Sequence, residues 1–101
     1  MKAMLIAAAA AAAMLATPAA ASAEERVRLS DLELGQQSDI SRLDHRIDRA
    51  ARRLCAALES DPAANRACRQ AAVRRVAGQR QALIARAFNG RALGMTELVL
   101  N

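Results

Sequence analysis

Cys55 and Cys68 are the only cysteines of the chain, and they lie thirteen positions apart. Two thiols allow a single intramolecular disulfide. A metal site would need three or four nitrogen or sulfur ligands, and His45 is the only further donor of that kind. Thiol redox catalysis typically uses a C-x-x-C pair at the start of a helix, which this spacing does not provide. The pattern therefore favours a structural disulfide between Cys55 and Cys68, with a metal site as the alternative.

A second group that could do chemistry is a set of arginines. They recur four, three and four positions apart, which places them on one face of a helix: Arg42, Arg46, Arg49 and Arg53. Such a stripe could bind phosphates of lipid headgroups, lipopolysaccharide or another acidic surface. The alternative is a solvated helix face that acidic neighbours partly neutralise, as Asp48 would do for Arg52. The stripe is the candidate anion-binding site of the sequence.

His45 is the only histidine, and Asp44 and Asp48 flank it at helical spacing. Two carboxylates and one imidazole on an exposed helix face would hold a metal ion weakly, so weak metal sequestration is a third candidate function.

The sequence lacks the features of an enzyme active site. No serine or threonine after residue 23 lies in a strand–turn–helix nucleophile elbow, and a chain of this length leaves no deep cleft for a substrate. We therefore expect a protein that is not an enzyme and that has no cofactor and no resident metal.

Residues 1–23 have the organisation of a signal peptide. Lys2 precedes an uncharged apolar run over residues 3–15, and Ala21-Ser22-Ala23 presents the small residues that signal peptidase recognises. The run is shorter than the roughly 20 residues that a membrane-spanning helix needs. We expect cleavage after Ala23, export to the periplasm or the medium, and no transmembrane segment after cleavage. Export to an oxidising compartment also favours the disulfide.

Size and charge limit the partners of the chain. With 101 residues, of which 53% are hydrophobic and many of these are alanine, the chain forms one small domain. The net charge is +5, but export separates the protein from nucleic acid, and Phe88 is the only aromatic residue that could stack on bases. The expected partners are another protein or an anionic envelope surface. A homo-oligomer remains open, because few bulky side chains are available to bury.

Residues 38–90 are predicted to form a helical hairpin. Ser38 is the predicted N-cap of a first helix that ends near Ser60, because Pro62 disfavours helical geometry in the residue before it. Asp61 and Pro62 then suit the N-cap and first position of a second helix, which stops at Asn89-Gly90. Apolar residues three and four apart mark the buried face of the first helix: Ile40, Leu43, Ile47, Ala50, Leu54 and Ala57. The matching face of the second carries Cys68, Ala72, Val76, Leu83 and Ala87.

Two apolar segments flank the hairpin. Residues 24–37 alternate apolar and polar around Val27 and Leu29, which is typical of a short extended segment that packs on the helices or pairs with another chain. Residues 91–101 form an apolar tail that packs on the domain or makes a short third helix. The predicted fold class is mainly α: a disulfide-stapled antiparallel helical hairpin preceded by a short extended segment.

The order of these residues resembles the UrcA family of small exported proteobacterial proteins. The family combines a signal peptide with a DL-x-L segment, an RI-x-x-AA-x-x-hydrophobic-C helix and a second cysteine about a dozen residues later. The likeness covers roughly residues 26–87 and departs at Leu29, where an aromatic is common, and at Asp39, where glycine is common. It implies an exported, cysteine-bearing protein without a settled biochemical activity. The positions that carry it are Val27, Leu29, Asp31-Leu32, Leu34, Leu43, Arg46-Ile47, Ala50-Ala51, Leu54-Cys55 and Cys68.

Taken together, these features predict a non-enzymatic protein with an interaction or envelope-associated role. The alternative is binding to anionic lipid or lipopolysaccharide through the arginine stripe.

Overall fold

A computed structural model describes residues 24–101. The predicted signal peptide over residues 1–23, and the cleavage after Ala23, lie outside the described residues. The elements follow in the order β1 (Glu25–Arg28), α1 (Gln37–Leu54), a 3₁₀ turn (Ala56–Leu58), α2 (Pro62–Phe88) and β2 (Glu97–Leu100). The chain is mainly helical, as predicted, and the two helices form a hairpin beside a two-stranded antiparallel sheet. No helix within residues 24–101 is long and apolar enough to cross a membrane.

Helix α1 differs from the prediction at both ends. Its N-cap is Gln36 rather than Ser38, and the Gln36 carbonyl accepts hydrogen bonds from the amides of Asp39 and Ile40. The Asp39 carboxylate instead accepts a 2.7 Å hydrogen bond from the Glu33 amide, which fixes the loop that enters the helix. A sequence pattern cannot show which turn the backbone caps, so the predicted start was wrong by two positions.

The C-terminal end of α1 comes at Leu54, well before Ser60. The chain then tightens into the 3₁₀ turn, where the Cys55 carbonyl accepts hydrogen bonds from the Leu58 amide and from Asn65 Nδ2. Because the helix has already ended, Ala57 is exposed, and its predicted burial was wrong. The other predicted core positions of α1 are buried, apart from the half-buried Leu54.

Helix α2 begins and ends where its capping residues predict. The Asp61 carboxylate accepts a hydrogen bond from the Ala64 amide at 3.1 Å, and Pro62 occupies the first helical position, where a missing amide costs nothing. At the other end Gly90 has φ +66°, and the amides of Gly90 and Arg91 donate back to the carbonyls of Ala87 and Arg86. This Schellman arrangement satisfies the last carbonyls of the helix.

The predicted disulfide is confirmed: Cys55 and Cys68 are bonded, with their Cα atoms 5.9 Å apart. Cys55 is buried and Cys68 half-buried. The bond ties Cys55, the C-cap residue of α1, to the second turn of α2, so it fixes the closed end of the hairpin.

The C-terminal tail forms a strand, so the short third helix predicted as one possibility is wrong. Strand β2 pairs antiparallel with β1, with Val27 opposite Leu98, and the Leu29 amide continues the pairing by donating to Thr96. Val27, Leu98 and Leu100 face the helices and are buried. The two apolar segments that flank the hairpin therefore pair with each other.

The buried apolar residues of the described chain form one core between the sheet and the two helices. The turn that follows β1 contributes Leu32 and Leu34, and α1 contributes Leu43 and Ile47. In the long helix α2 only Ala72, Val76 and Leu83 are buried, so α2 covers the core along one narrow stripe. The apolar side of α1 faces this core, which leaves its arginine side beside β1.

Candidate anion-binding site

Arg46 joins α1 to the segment after β1. Its guanidinium donates two hydrogen bonds to the Asp31 carboxylate, at 2.7 and 2.6 Å, and a third to the Arg28 carbonyl at 2.8 Å. This side chain is the least exposed of the paired arginines. The hydrogen bonds from Arg46 hold the pKa of Asp31 well below its usual range, and the same contact raises the pKa of Arg46. Both partners are therefore ionised at neutral pH.

The Asp31 pair makes stability depend on pH in acid. Because the pKa of Asp31 is lower in the folded chain than in the unfolded chain, its stabilising contribution is complete above the unfolded value of about 4 and is lost as the pH falls toward the folded value. We expect Asp31→Asn to be less stable than the wild type at neutral pH and to lose less further stability below pH 4. The urea midpoint measured from pH 5 to pH 2 checks this. Arg46→Gln should flatten the same part of the profile, and unchanged slopes in both variants would contradict the assignment.

Arginines of β1 and α1 surround an open surface cavity of about 280 Å³, which we call the arginine pocket. In β1 the alternation of the strand directs Val27 into the core and leaves the side chains of Arg26 and Arg28 outside. In α1 the helical spacing brings Arg46, Arg49 and Arg53 to the side that faces the strand. The residues that line the pocket are Arg26, Val27, Arg28, Arg46, Arg49 and Arg53.

Positive charge exceeds negative charge around the arginine pocket. Arg53 Nε lies 3.0 Å from the Glu25 carboxylate. Arg28 Nε lies 3.6 Å from the Asp31 carboxylate, which also pairs with Arg46. On the outer face of the sheet, Arg26 lies 3.6 Å from Glu97. Five arginines thus meet three carboxylates.

Arg49 differs from the other arginines that line the pocket, which each lie within 4.0 Å of a carboxylate oxygen. Within residues 24–101 no carboxylate oxygen lies within 4.0 Å of its guanidinium nitrogens. It stands between Arg46 and Arg53 on α1, so its guanidinium can turn to an incoming anion without breaking an existing ion pair.

The predicted arginine stripe is only partly one site. Arg46, Arg49 and Arg53 line the pocket, whereas Arg42 does not and lies 3.9 Å from Asp39 one turn earlier. The sequence prediction also missed Arg26 and Arg28. Their signal is the alternation Arg26-Val27-Arg28-Leu29, which places both arginines on the solvent side of a strand.

The geometry does not assemble the weak metal site considered for Asp44, His45 and Asp48. Both Asp44 oxygens accept hydrogen bonds from Arg80, at 2.6 and 3.0 Å, and Asp48 lies 3.1 Å from Arg52. Within the described part of the chain no three histidine, cysteine, aspartate or glutamate side chains are grouped to hold a metal ion. The Asp44 carboxylate instead links α1 to α2 and raises the pKa of Arg80.

Comparisons of the chain with protein-family models, with curated proteins and with solved structures find no match.

Proposed function

We propose that this chain is an exported, non-enzymatic protein of the cell envelope that binds phosphate or carboxylate groups in the arginine pocket. The observation that carries the proposal is the convergence of five arginines from two elements on one cavity. A guanidinium presents its N–H donors as a planar fork that matches the oxygens of phosphate and carboxylate groups. Arginines on both sides of a cavity can therefore contact one anion together.

The existing ion pairs hold the pocket in a binding geometry. Arg46 is held by Asp31 and by the Arg28 carbonyl, so its position is set before any ligand arrives. Arg53 pairs with Glu25 in an exposed contact, and such surface pairs contribute only about 0–1 kcal/mol. An anion can replace the Glu25 carboxylate at little cost, whereas the Arg46 pair stays in place.

Several features of the sequence support export. They are the organisation of residues 1–23, the resemblance to the UrcA family, and the disulfide, which persists in oxidising compartments. Phosphate and carboxylate groups are abundant in an envelope, on lipid headgroups, on lipopolysaccharide and on proteins. We therefore assign the protein an interaction or envelope-associated role that depends on binding these groups.

Arg49→Gln tests the pocket. Because Arg49 has no carboxylate partner in the described part of the chain, the substitution should remove a ligand contact with little effect on the fold. The loss of a charge-assisted hydrogen bond, about 1.5–3 kcal/mol, should weaken anion binding roughly tenfold or more. The measurement is a titration of the oxidised protein with inorganic phosphate, followed by NMR of the arginine Nε–H groups, with chloride at equal ionic strength as the reference.

Arg42→Gln is the matched control. It removes the same charge from the same helix, but Arg42 lies outside the pocket and two helical turns before Arg49, farther than the roughly 8 Å over which salt at 0.15 M screens charges. We expect less than a twofold change in affinity. Equal losses in the two variants would show that the whole helix face attracts anions, and no response to phosphate at Arg46, Arg49 or Arg53 would overturn the proposed function.

A further inference from the structure

One edge of β1 has no neighbouring strand within residues 24–101. Among these residues the sheet has two strands, and β2 lies on one side of β1. In an antiparallel pair, residues alternate between those whose N–H and C=O groups bond to the partner strand and those whose groups point away from it. The Leu29 amide bonds to Thr96, whereas the Arg28 carbonyl accepts from Arg46 on the opposite side. Arg28 therefore points its backbone groups away from β2, and so does Arg26, two residues earlier.

Three of these backbone groups lack a partner within residues 24–101. They are the amides of Arg26 and Arg28 and the carbonyl of Arg26, because Arg46 occupies only the Arg28 carbonyl. The edge they form borders the arginine pocket, since residues 26–28 supply its β1 side. The unpaired backbone groups of β1 and the excess of positive charge therefore lie at the same edge of the sheet.

We infer that the ligand of the arginine pocket is a short, acidic, extended peptide segment of a partner protein, which adds to β1 as a third strand. The inference rests on the proposed function and names the partner class. Main-chain hydrogen bonds to Arg26 and Arg28 supply the pairing, while Arg49 and Arg53 bind carboxylates of the peptide. Because Arg46 fills the Arg28 carbonyl, the added strand is limited to a few residues.

Charge decides which strand is accepted. A second copy of this chain would bring its own Arg26 and Arg28 against the same residues, and opposed like charges disfavour that pairing. Arginines on an exposed edge likewise discourage unselective strand addition. An acidic strand removes the repulsion, so the same arginines that protect the edge select the partner.

Hydrogen exchange on the oxidised protein tests the inference, with the blocked pentapeptide acetyl-Glu-Val-Glu-Val-Glu-amide as the probe. At saturating peptide, exchange of the Arg26 and Arg28 amides should slow at least tenfold. The Val27 amide, already paired with β2, is the internal control and should change less than twofold. Arg49→Gln should weaken peptide binding about tenfold, and Arg42→Gln less than twofold.

Two N-methylated derivatives of the pentapeptide separate strand pairing from attraction of charge alone; they are isomers of each other, one methylated at the backbone nitrogens of residues 2 and 4 and the other at those of residues 3 and 5. Each carries N-methyl groups on alternate residues, so the charge is constant while one set of amide donors is lost. The isomer whose methyl groups face β1 should bind at least tenfold more weakly than the other. Equal binding of both isomers, with unchanged exchange at Arg26, would overturn strand addition.

The proposed function and the peptide inference fail in different ways. Phosphate-induced shifts at Arg49, together with binding to phosphatidylglycerol vesicles and no effect of the peptide on exchange, would assign the pocket to lipid and overturn only the peptide. Slowed exchange at Arg26 that does not depend on Arg49, with no response to phosphate, would overturn the anion pocket and with it the acidic selection.

Discussion

Loss of the Cys55–Cys68 disulfide is expected to lower the free energy of unfolding by about 3 kcal/mol. In the chain-entropy model, a bond that closes a loop of this length removes that much conformational freedom from the unfolded chain. For a domain of this size, 3 kcal/mol is a large share of the total stability. The core offers little compensation, because α2 buries only three residues along its length. The reduced protein should therefore be marginally folded.

The measurement compares thermal unfolding of the oxidised protein with that of Cys55→Ala/Cys68→Ala, followed by circular dichroism. A loss of 3 kcal/mol corresponds to a fall in Tm of roughly 12–24 °C for a domain of this size. A thiol reductant should lower the Tm of the wild type and leave the double variant unchanged, which separates the bond from the loss of sulfur packing. A wild type that unfolds at the same temperature with and without reductant would contradict the prediction.

Capping and turn preferences predicted the ends of α2, because these ends depend on residues close to them in the sequence. Asp61, Pro62 and Gly90 are each required by the backbone at their own position, so the bounds of α2 were visible in the sequence. The end of α1 was not, because a hydrogen bond from Asn65 to the Cys55 carbonyl depends on the helix that follows. The same limit applies to Gln36, whose role as N-cap depends on the loop held by Asp39.

The sheet escaped prediction because its two strands come from opposite ends of the described chain. The segment around Val27 has the alternation of a strand, but nothing in it identifies the partner. The tail carries the matching pattern Glu97-Leu98-Val99-Leu100, which is short enough to suit a helix or a strand. Only the shared core, which Leu98 and Val27 complete from the same face, decides between them.

The candidate site was likewise predictable only where its residues belong to one element. Helical spacing correctly placed Arg46, Arg49 and Arg53 on one side of α1, because all three belong to a single element. Arg26 and Arg28 join them only through the packing of β1 on α1. Arg42 shares the spacing but not the site, since the strand ends before it reaches that turn. Periodicity therefore identifies a face of an element, whereas a pocket requires the neighbouring element as well.

The strand pairing of the tail predicts a large difference between neighbouring residues. Leu98 is 1% exposed on the inner face of β2, whereas Val99 is 39% exposed on the outer face. Leu98→Ala leaves a cavity in the core and should lower the free energy of unfolding by about 2–5 kcal/mol. Val99→Ala removes a similar side chain from the solvent side and should cost less than about 1 kcal/mol. Urea unfolding of both variants, with the disulfide intact, measures the difference.

The ranking of the two variants also tests the register. In a strand a shift of one residue exchanges the inner and outer faces, so a slipped tail would make Val99→Ala the costly substitution. A third helix would bury positions three or four apart and would not alternate. Equal losses for Leu98 and Val99 would therefore contradict the strand. A selective loss at Leu98 would show that Leu98 faces the core, as in the register that places Val27 opposite Leu98 and leaves Arg26 and Arg28 on the edge beside the arginine pocket.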